Sequence, residues 1–146
     1  MKINFEQNES YDELYIELKK NILDEEVQEV LDKLSKKYSK TLIGFKEKEV
    51  FVLDDTKIFR VYSENNKTFA ITQDGEYTLK NRLYELEEIL DTQIFVRISN
   101  SEFVNMKKVK KFDLSLTGTI KVFLSNGDST FVSRRYVSKI KNYLGL

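Results

Sequence analysis

The residues best suited to recognition chemistry sit in the last third of this 146-residue chain. In the stretch FVRISNSEFVNMKKVKKF, residues 95–112, Arg97 lies among apolar Phe95, Val96 and Ile98. Ser99, Asn100, Ser101 and Glu102 then stand in a row. Phe103, Val104 and Met106 follow, and Lys107, Lys108, Lys110 and Lys111 close the run. An Asn amide can read a base edge through paired hydrogen bonds, and an Arg beside it can hold a phosphate or a guanine. Lysines suit phosphates. The same polar row also makes an ordinary Asx turn. The lysines also make an ordinary solvated strand face, on which alternation would keep them from all pointing one way. Local physics leaves both readings open.

A second candidate is VSRRYV, residues 132–137. If Ser133 caps a final helix, Arg134 and Arg135 occupy its first turn. Cations there oppose the helix dipole at a cost of roughly 0.3–1 kcal/mol each. A phosphate would explain the pair, because helix N-termini and guanidinium groups both bind it. Pairing with nearby carboxylates is the plainer explanation.

The chain has no histidine and no cysteine. That excludes a His general base, a Ser-His-Asp triad, His-ligated zinc and thiolate chemistry. The five glycines are isolated, so no glycine-rich phosphate loop is present. The carboxylates show no spacing that argues for acid–base catalysis. The expectation is a protein that is not an enzyme and carries no cofactor and no metal. No run reaches about 18 apolar residues, so no membrane insertion is expected. The start, MKINFEQNES, lacks an apolar signal core, which points to the cytoplasm.

The zero net charge hides a split. Residues 1–96 carry 14 basic and 21 acidic residues, net −7, whereas residues 97–146 carry 10 basic and 3 acidic, net +7. Such a gradient raises the expectation of a polyanion bound by the C-terminal third.

The elements that must position these residues are legible from periodicity. Residues 2–6 read as a short strand. Residues 12–19 alternate as a strand while also fitting a helical stripe, and strand is the reading adopted. Val27, Val30, Leu31, Leu34 and Tyr38 recur at helical spacing over 24–38, with Asp24 as N-cap, Glu25 and Glu26 in the first turn and Lys36 and Lys37 in the last. Residues 41–78 read as a meander of TLIGF, EVFVL, KIFRVYS and KTFAITQ, with turns at Asp54-Asp55, Asn65-Asn66 and Asp74-Gly75. Leu79, Leu83, Leu86 and Leu90 suggest a helix capped by Thr78. KKFDLSL, IKVFLS and STFVS follow as strands, the last two joined at Asn126-Gly127. A final helix carries Tyr136, Val137, Ile140, Tyr143 and Leu144, with Gly145 as its C′ residue.

Taken together, FVRISNSEFVNMKKVKKF and the hairpin SNGDSTFVSRRYVSKIKNYLG resemble the LytTR-type DNA-binding domain of bacterial transcription regulators. The upstream KIFRVYSENNKTFAITQDGEYTLKNRLYELEEIL fits the first half of that domain. The most specific parts are Phe95-x-Arg97-x-x-x-Ser101, Val104-Asn105 and Ser133 to Tyr136. The resemblance implies a mostly β (α+β), elongated multi-strand fold with short helices over 45–146, entering DNA through loops. A small β-β-α segment over 1–44 would precede it. The resemblance also implies roles for single residues. Asn100 and Arg135 match base-contacting positions. Asn65, Asn66 and Lys67 match a loop that reaches a neighbouring groove. Arg97 and Ser101 match backbone-contacting or loop-bracing positions. Ser99 stands where many members carry His, which changes that contact. Lys107, Lys108 and Arg134 complete the expected DNA-binding set. Some 45 residues ahead of the domain are too few for the receiver that many relatives carry, so the segment is expected to support a homodimer on repeated DNA elements.

Two function classes therefore stand side by side. The first is a regulator that binds double-stranded DNA sequence-specifically through loops. The alternative is a protein–protein module whose basic third docks on an acidic partner. Salt-dependent binding to one preferred duplex separates them.

Overall fold

The computed structural model describes residues 1–12, 14–38 and 42–146, with 35–38 as backbone only. The chain divides into two compact units, Met1–Lys33 and Leu34–Leu146.

Helix α1 (Glu25–Tyr38), which starts in the first unit and runs across the boundary at Lys33, begins where the sequence expects it. Asp24 caps it. The Oδ1 of Asp24 accepts the Val27 N–H at 3.2 Å, and its carbonyl accepts the Gln28 N–H at 3.0 Å. Lys20 donates to the same carboxylate, and with the Val27 N–H it holds Asp24 below the usual carboxylate range. The Tyr38, Lys36 and Lys37 side chains lie outside the described residues. The two expected strands ahead of α1 do not form. Residues 2–6, and 12 and 14–19, have no ladder partner and are exposed throughout. Alternation is a necessary condition for a strand and not a sufficient one. Without a neighbour to take its N–H and C=O groups, an extended segment keeps them on water.

Among the described residues the second unit holds ten strands. Strands β1 (Leu42–Lys46), β2 (Glu49–Leu53), β3 (Ile58–Glu64), β4 (Lys67–Thr72), β5 (Gly75–Leu79), β6 (Phe95–Ser99) and β7 (Glu102–Asn105) form one antiparallel sheet. Its order is β2-β1-β5-β4-β3-β7-β6. A second sheet, ordered β10-β9-β8, contains β8 (Val109–Asp113), β9 (Ile120–Leu124) and β10 (Ser129–Val132). Helix α2 (Leu83–Ile89) links β5 to β6, and α3 (Val137–Tyr143) follows β10. β1 runs across the 44/45 boundary drawn from the sequence.

Three local expectations are corrected. The first concerns the meander. β2 does not pair with β3; β1 pairs instead with β5, Gly44 opposite Leu79. Gly44 permits the close approach, since a Cβ there would lie 3.0 Å from the Cβ of Tyr77 on β5. The second concerns Leu79, which belongs to β5 and not to a helix. Tyr77 and Leu79 alternate inward with the strand period, and Thr78 faces the other side and caps nothing. α2 starts only after Arg82, whose N–H is taken by the Glu85 carboxylate at 3.1 Å. The third concerns KKFDLSL, which ends as a strand at Asp113. That side chain accepts both the N–H and the hydroxyl of Ser115, turning the chain and leaving Leu114 and Leu116 exposed.

Two cores lie in this unit. Ile58, Val61, Ala70, Tyr77, Leu79, Phe95 and Phe103 pack with Leu83 and Leu86 of α2. Val96, Ile98 and Val104 pack with Ile120, Val122, Leu124, Val132 and Ile140. β6 and β7 therefore feed both cores, and all four residues of β7 are buried. That double burial explains the near-continuous apolar reading on either side of the polar row. Each fully buried Val, Leu, Ile or Phe contributes about 1.5–3 kcal/mol, so the polar turn between β6 and β7 is carried on one of the best-anchored parts of the fold.

Candidate nucleic-acid interface

The polar row is the tip of the β6–β7 hairpin. Ser99 pairs with Glu102, and Asn100 and Ser101 make the turn. The register slips between Arg97 and Ser99, which frees the Ile98 carbonyl from the ladder. That carbonyl accepts the Ser133 N–H at 2.8 Å. On the other side, the Ser101 carbonyl accepts the Ser63 N–H of β3 at 2.8 Å. The turn is thus tied to the chain leading into Arg134 and to the strand leading into Asn65.

Arg97 braces this turn from within. Its Nε donates to the Ser99 carbonyl at 3.0 Å and one terminal nitrogen to the Asn100 carbonyl at 2.7 Å. The other terminal nitrogen pairs with Glu87 of α2, and the guanidinium stands 5.2 Å from the Phe103 ring centroid. Every nitrogen is engaged, so Arg97 holds the loop and offers no free fork to a base. Ser99 and Ser101 face each other at 3.3 Å between hydroxyls, and the Ser99 hydroxyl also accepts the Ser101 N–H at 3.2 Å. Asn100 is exposed, and its Oδ1 accepts the Tyr136 hydroxyl at 3.0 Å.

The β3–β4 turn carries Asn65 and Asn66 at φ 51° and 62°. Successive left-handed residues match the twist of a two-residue hairpin, and Asn tolerates that region. Arg82 clamps this turn by donating to the Asn66 carbonyl at 3.1 Å. Asn65, Asn66, Arg82, Tyr84, Arg97 and Asn100 line one open concavity. Lys67 is exposed at the start of β4.

Arg134 and Arg135 are both exposed, but they are not in the first turn of a capped helix. They occupy a 3-10 turn, Arg134–Tyr136, closed by the Tyr136 N–H on the Ser133 carbonyl at 2.8 Å. Ser133 makes no side-chain cap, and α3 begins only at Val137. The dipole argument for a phosphate therefore lapses. What recommends these arginines is their place beside the Asn100 turn. At the far end of α3 the expected stop is present, with Gly145 at φ 74°.

The structure thus sets Asn66 and Asn100 on one concavity, ties the chain on either side of Arg134–Arg135 to the Asn100 hairpin through the Ser133–Ile98 and Tyr136–Asn100 bonds, and leaves Lys107 and Lys108 apart. These lysines lie at the opposite end of β7, in a 3-10 turn whose cap is Asn105. Asn105 is buried. Its Oδ1 accepts the Lys107 N–H at 3.0 Å and its Nδ2 donates to the Ile58 carbonyl at 2.9 Å. Lys110 and Lys111 are on β8. Lys111 stands 4.7 Å from the Phe123 ring centroid, on the outer face of the small sheet.

Periodicity does not find Tyr136, which it assigns to an apolar stripe, nor Arg82, nor the partners of Glu102. Arg60 donates to Glu102 at 2.9 Å and to Asp128 at 3.0 Å, and the Thr130 hydroxyl donates to Glu102 at 2.7 Å. The signal available in the sequence is the single acidic residue in a basic, apolar stretch. Among the described residues no group of three or more His, Cys, Asp or Glu could hold a metal ion. No described helix is long and apolar enough to cross a membrane.

An uncharacterized HTH-type transcriptional regulator of Staphylococcus aureus strain NCTC 8325 is 34% identical over 147 residues, covering 100% of this chain and 99% of the relative. A similarly described protein of strain MRSA252 is 33% identical with the same coverage. Among solved structures, the LytTr DNA-binding domain of a putative methyl-accepting/DNA response regulator from Bacillus cereus superposes with a TM-score of 0.70 at 22% identity. It covers 73% of this chain and 98% of that one, a likeness of fold. The family model for the LytTr DNA-binding domain matches residues 48–145, and the chain belongs to that family.

Proposed function

We propose that the protein is a bacterial transcription regulator that binds double-stranded DNA and reads its sequence through loops. The observation that carries this is the Asn100 hairpin tip, which shares a concavity with the Asn65-Asn66 turn and is hydrogen-bonded to Tyr136 at the end of the arginine turn, so that three hairpin- or turn-borne polar segments adjoin it. These segments are Asn65-Asn66-Lys67, Asn100-Ser101 and Arg134-Arg135. Base edges are read by Asn100 and Arg135, with Asn66 and Lys67 reaching an adjacent groove. Arg97, Ser99 and Ser101 shape the central loop. Lys107 and Lys108 add phosphate contacts at a distance along the duplex.

Among the described residues no two helices are joined by a short turn, since strands separate α1, α2 and α3. That favours reading by loops over reading by a helix-turn-helix pair. Binding to chromosomal DNA would put the protein in the cytoplasm. Residues 1–40 support a homodimer on repeated elements.

Selection of bound fragments from random duplex DNA tests the reading. One preferred sequence is expected. Asn100→Ala and Arg135→Ala should each cost about 1–3 kcal/mol at that sequence and relax preference at distinct base pairs. Equal binding to all duplexes, or folded variants that keep both affinity and preference, would overturn it.

A second reading is favoured by one feature, the outer face of the small sheet. There Lys121 stands 5.0 Å from the Phe123 ring centroid and 5.5 Å from that of Phe131, which is half exposed. Such a face suits an acidic protein surface. Binding to that partner with no preferred duplex is its signature.

A further inference from the structure

Glu102 is 8% exposed, follows directly on the Asn100-Ser101 turn, and is one of the four buried polar or charged side chains among the described residues. One carboxylate oxygen accepts the Arg60 guanidinium of β3 at 2.9 Å, and the other accepts the Thr130 hydroxyl of β10 at 2.7 Å. Arg60 in turn reaches Asp128 at 3.0 Å, just beyond the Asn126-Gly127 turn. The three strands so joined are the ones that carry the loops. β3 runs into Asn65-Asn66, β7 leaves Asn100-Ser101, and β10 runs into Arg134-Arg135. β10 belongs to a different sheet from β3 and β7, and no ladder hydrogen bond joins the two sheets. The carboxylate of Glu102 is a side-chain bridge across that gap.

We infer that Glu102 is a positioning residue that sets the spacing of the reading loops through Arg60 and Thr130, and so sets sequence specificity without touching DNA. The inference rests on the loop-reading function proposed above. Three features support a positional role. A buried ion pair is a poor source of net stability, because desolvation offsets its Coulomb attraction. It is directional, and with both oxygens engaged it fixes strand against strand. A carboxylate beside a polyanion's binding site is also unfavourable for binding in itself, so its presence there calls for a geometric purpose.

That last point supplies the test. Removing the charge should, by electrostatics alone, strengthen binding to any DNA. Positioning predicts the opposite at the preferred sequence. Two variants of the full chain separate the effects: Glu102→Gln, which removes the charge, and Thr130→Val, which keeps volume and charge and cuts only the side-chain bond from β10 to Glu102, leaving the Ser133–Ile98 backbone bond in place. Folding is followed by circular dichroism and thermal unfolding. Affinity is measured for a duplex selected from random DNA by the wild-type chain and for a random-sequence duplex of equal length.

For both variants the ratio of selected to random affinity is expected to fall by about tenfold or more, roughly the discrimination of one well-made base contact. Binding to the random duplex should be unchanged, or raised for Glu102→Gln. If Glu102→Gln fails to fold, Thr130→Val decides alone. A ratio within about twofold of wild type in a folded Thr130→Val chain overturns the inference and leaves loop reading intact. A wild-type chain that selects no sequence overturns both.

Discussion

The Tyr136 hydroxyl donates to Oδ1 of Asn100 across 3.0 Å, joining the end of the arginine turn to the tip of the central hairpin. The bond engages the acceptor oxygen of the Asn100 amide and fixes the orientation of the group. Asn100 is exposed, so without this bond its amide would rotate freely and lose entropy on binding. Tyr136→Phe removes one hydroxyl and no packing volume. The expected result is a loss of about 0.5–1.5 kcal/mol at the preferred duplex, the net value of one hydrogen bond, with no change on random DNA. Titration of both duplexes checks it. An equal loss on both would mean that the phenol contacts the backbone itself.

The lysines at the far end of β7 should behave differently from the loop residues. Lys107→Ala or Lys108→Ala is expected to weaken preferred and random duplexes alike. Each lost phosphate contact should reduce the slope of log affinity against log salt by about 1. Lys107 is the better candidate, being exposed, whereas Lys108 is half-buried with its ammonium 5.4 Å from the Phe59 ring centroid. A slope unchanged in both variants would return these residues to a solvated surface.

The N-terminal unit is expected to make the protein a dimer. Residues 1–24 expose Ile3, Phe5, Leu14, Tyr15, Leu18 and Leu23, and Leu31 of α1 is 38% exposed. So many exposed large apolar side chains in one acidic segment suit a protein surface. Two copies held together gain avidity on repeated DNA elements. Deleting residues 1–40 should leave a folded monomer that binds a single element weakly and has lost cooperativity on two. Sedimentation of the full chain and the truncation decides this. A full-length monomer at tens of micromolar, a generous concentration for a micromolar dimer, would end the idea.

A spectroscopic prediction concerns Tyr62. Burial, reinforced by the hydrogen bond to Glu76, pushes its phenol up to about 12. A raised folded-state value means that this group's contribution to stability is complete below the unfolded value near 10. It is then lost as pH rises through the folded value. Tyr62 should therefore ionise late in an alkaline titration followed by tyrosinate absorbance. Tyr62→Phe should remove that step. A titration with no late step in the wild-type chain would contradict the assignment.

Much of the local architecture follows from the sequence alone. The α1 cap at Asp24, the two Asn in the β3–β4 turn, the hairpin at Asn126-Gly127 and the stop at Gly145 depend on single-residue backbone preferences that hold in any context. The family, too, is carried by a linear pattern around Arg97, Ser101 and Asn105. Pairing between distant strands was beyond it. Nothing near Leu79 says that β5 must fill the place between β4 and β1. Nothing in residues 2–19 says that no neighbour is there to complete a ladder.

The roles of the polar residues divide the same way. Residue type marks Arg97, Asn100 and Arg135 as capable of binding nucleic acid. Only the tertiary structure decides that Arg97 is already occupied by two carbonyls and Glu87, that Tyr136 belongs with Asn100, and that Glu102 faces Arg60 and Thr130. These contacts span up to 42 residues of chain in the case of Arg60 and Glu102. Sequence periodicity reports which face a side chain takes; which partner waits on that face is settled by sheet order and by the packing of one sheet on another.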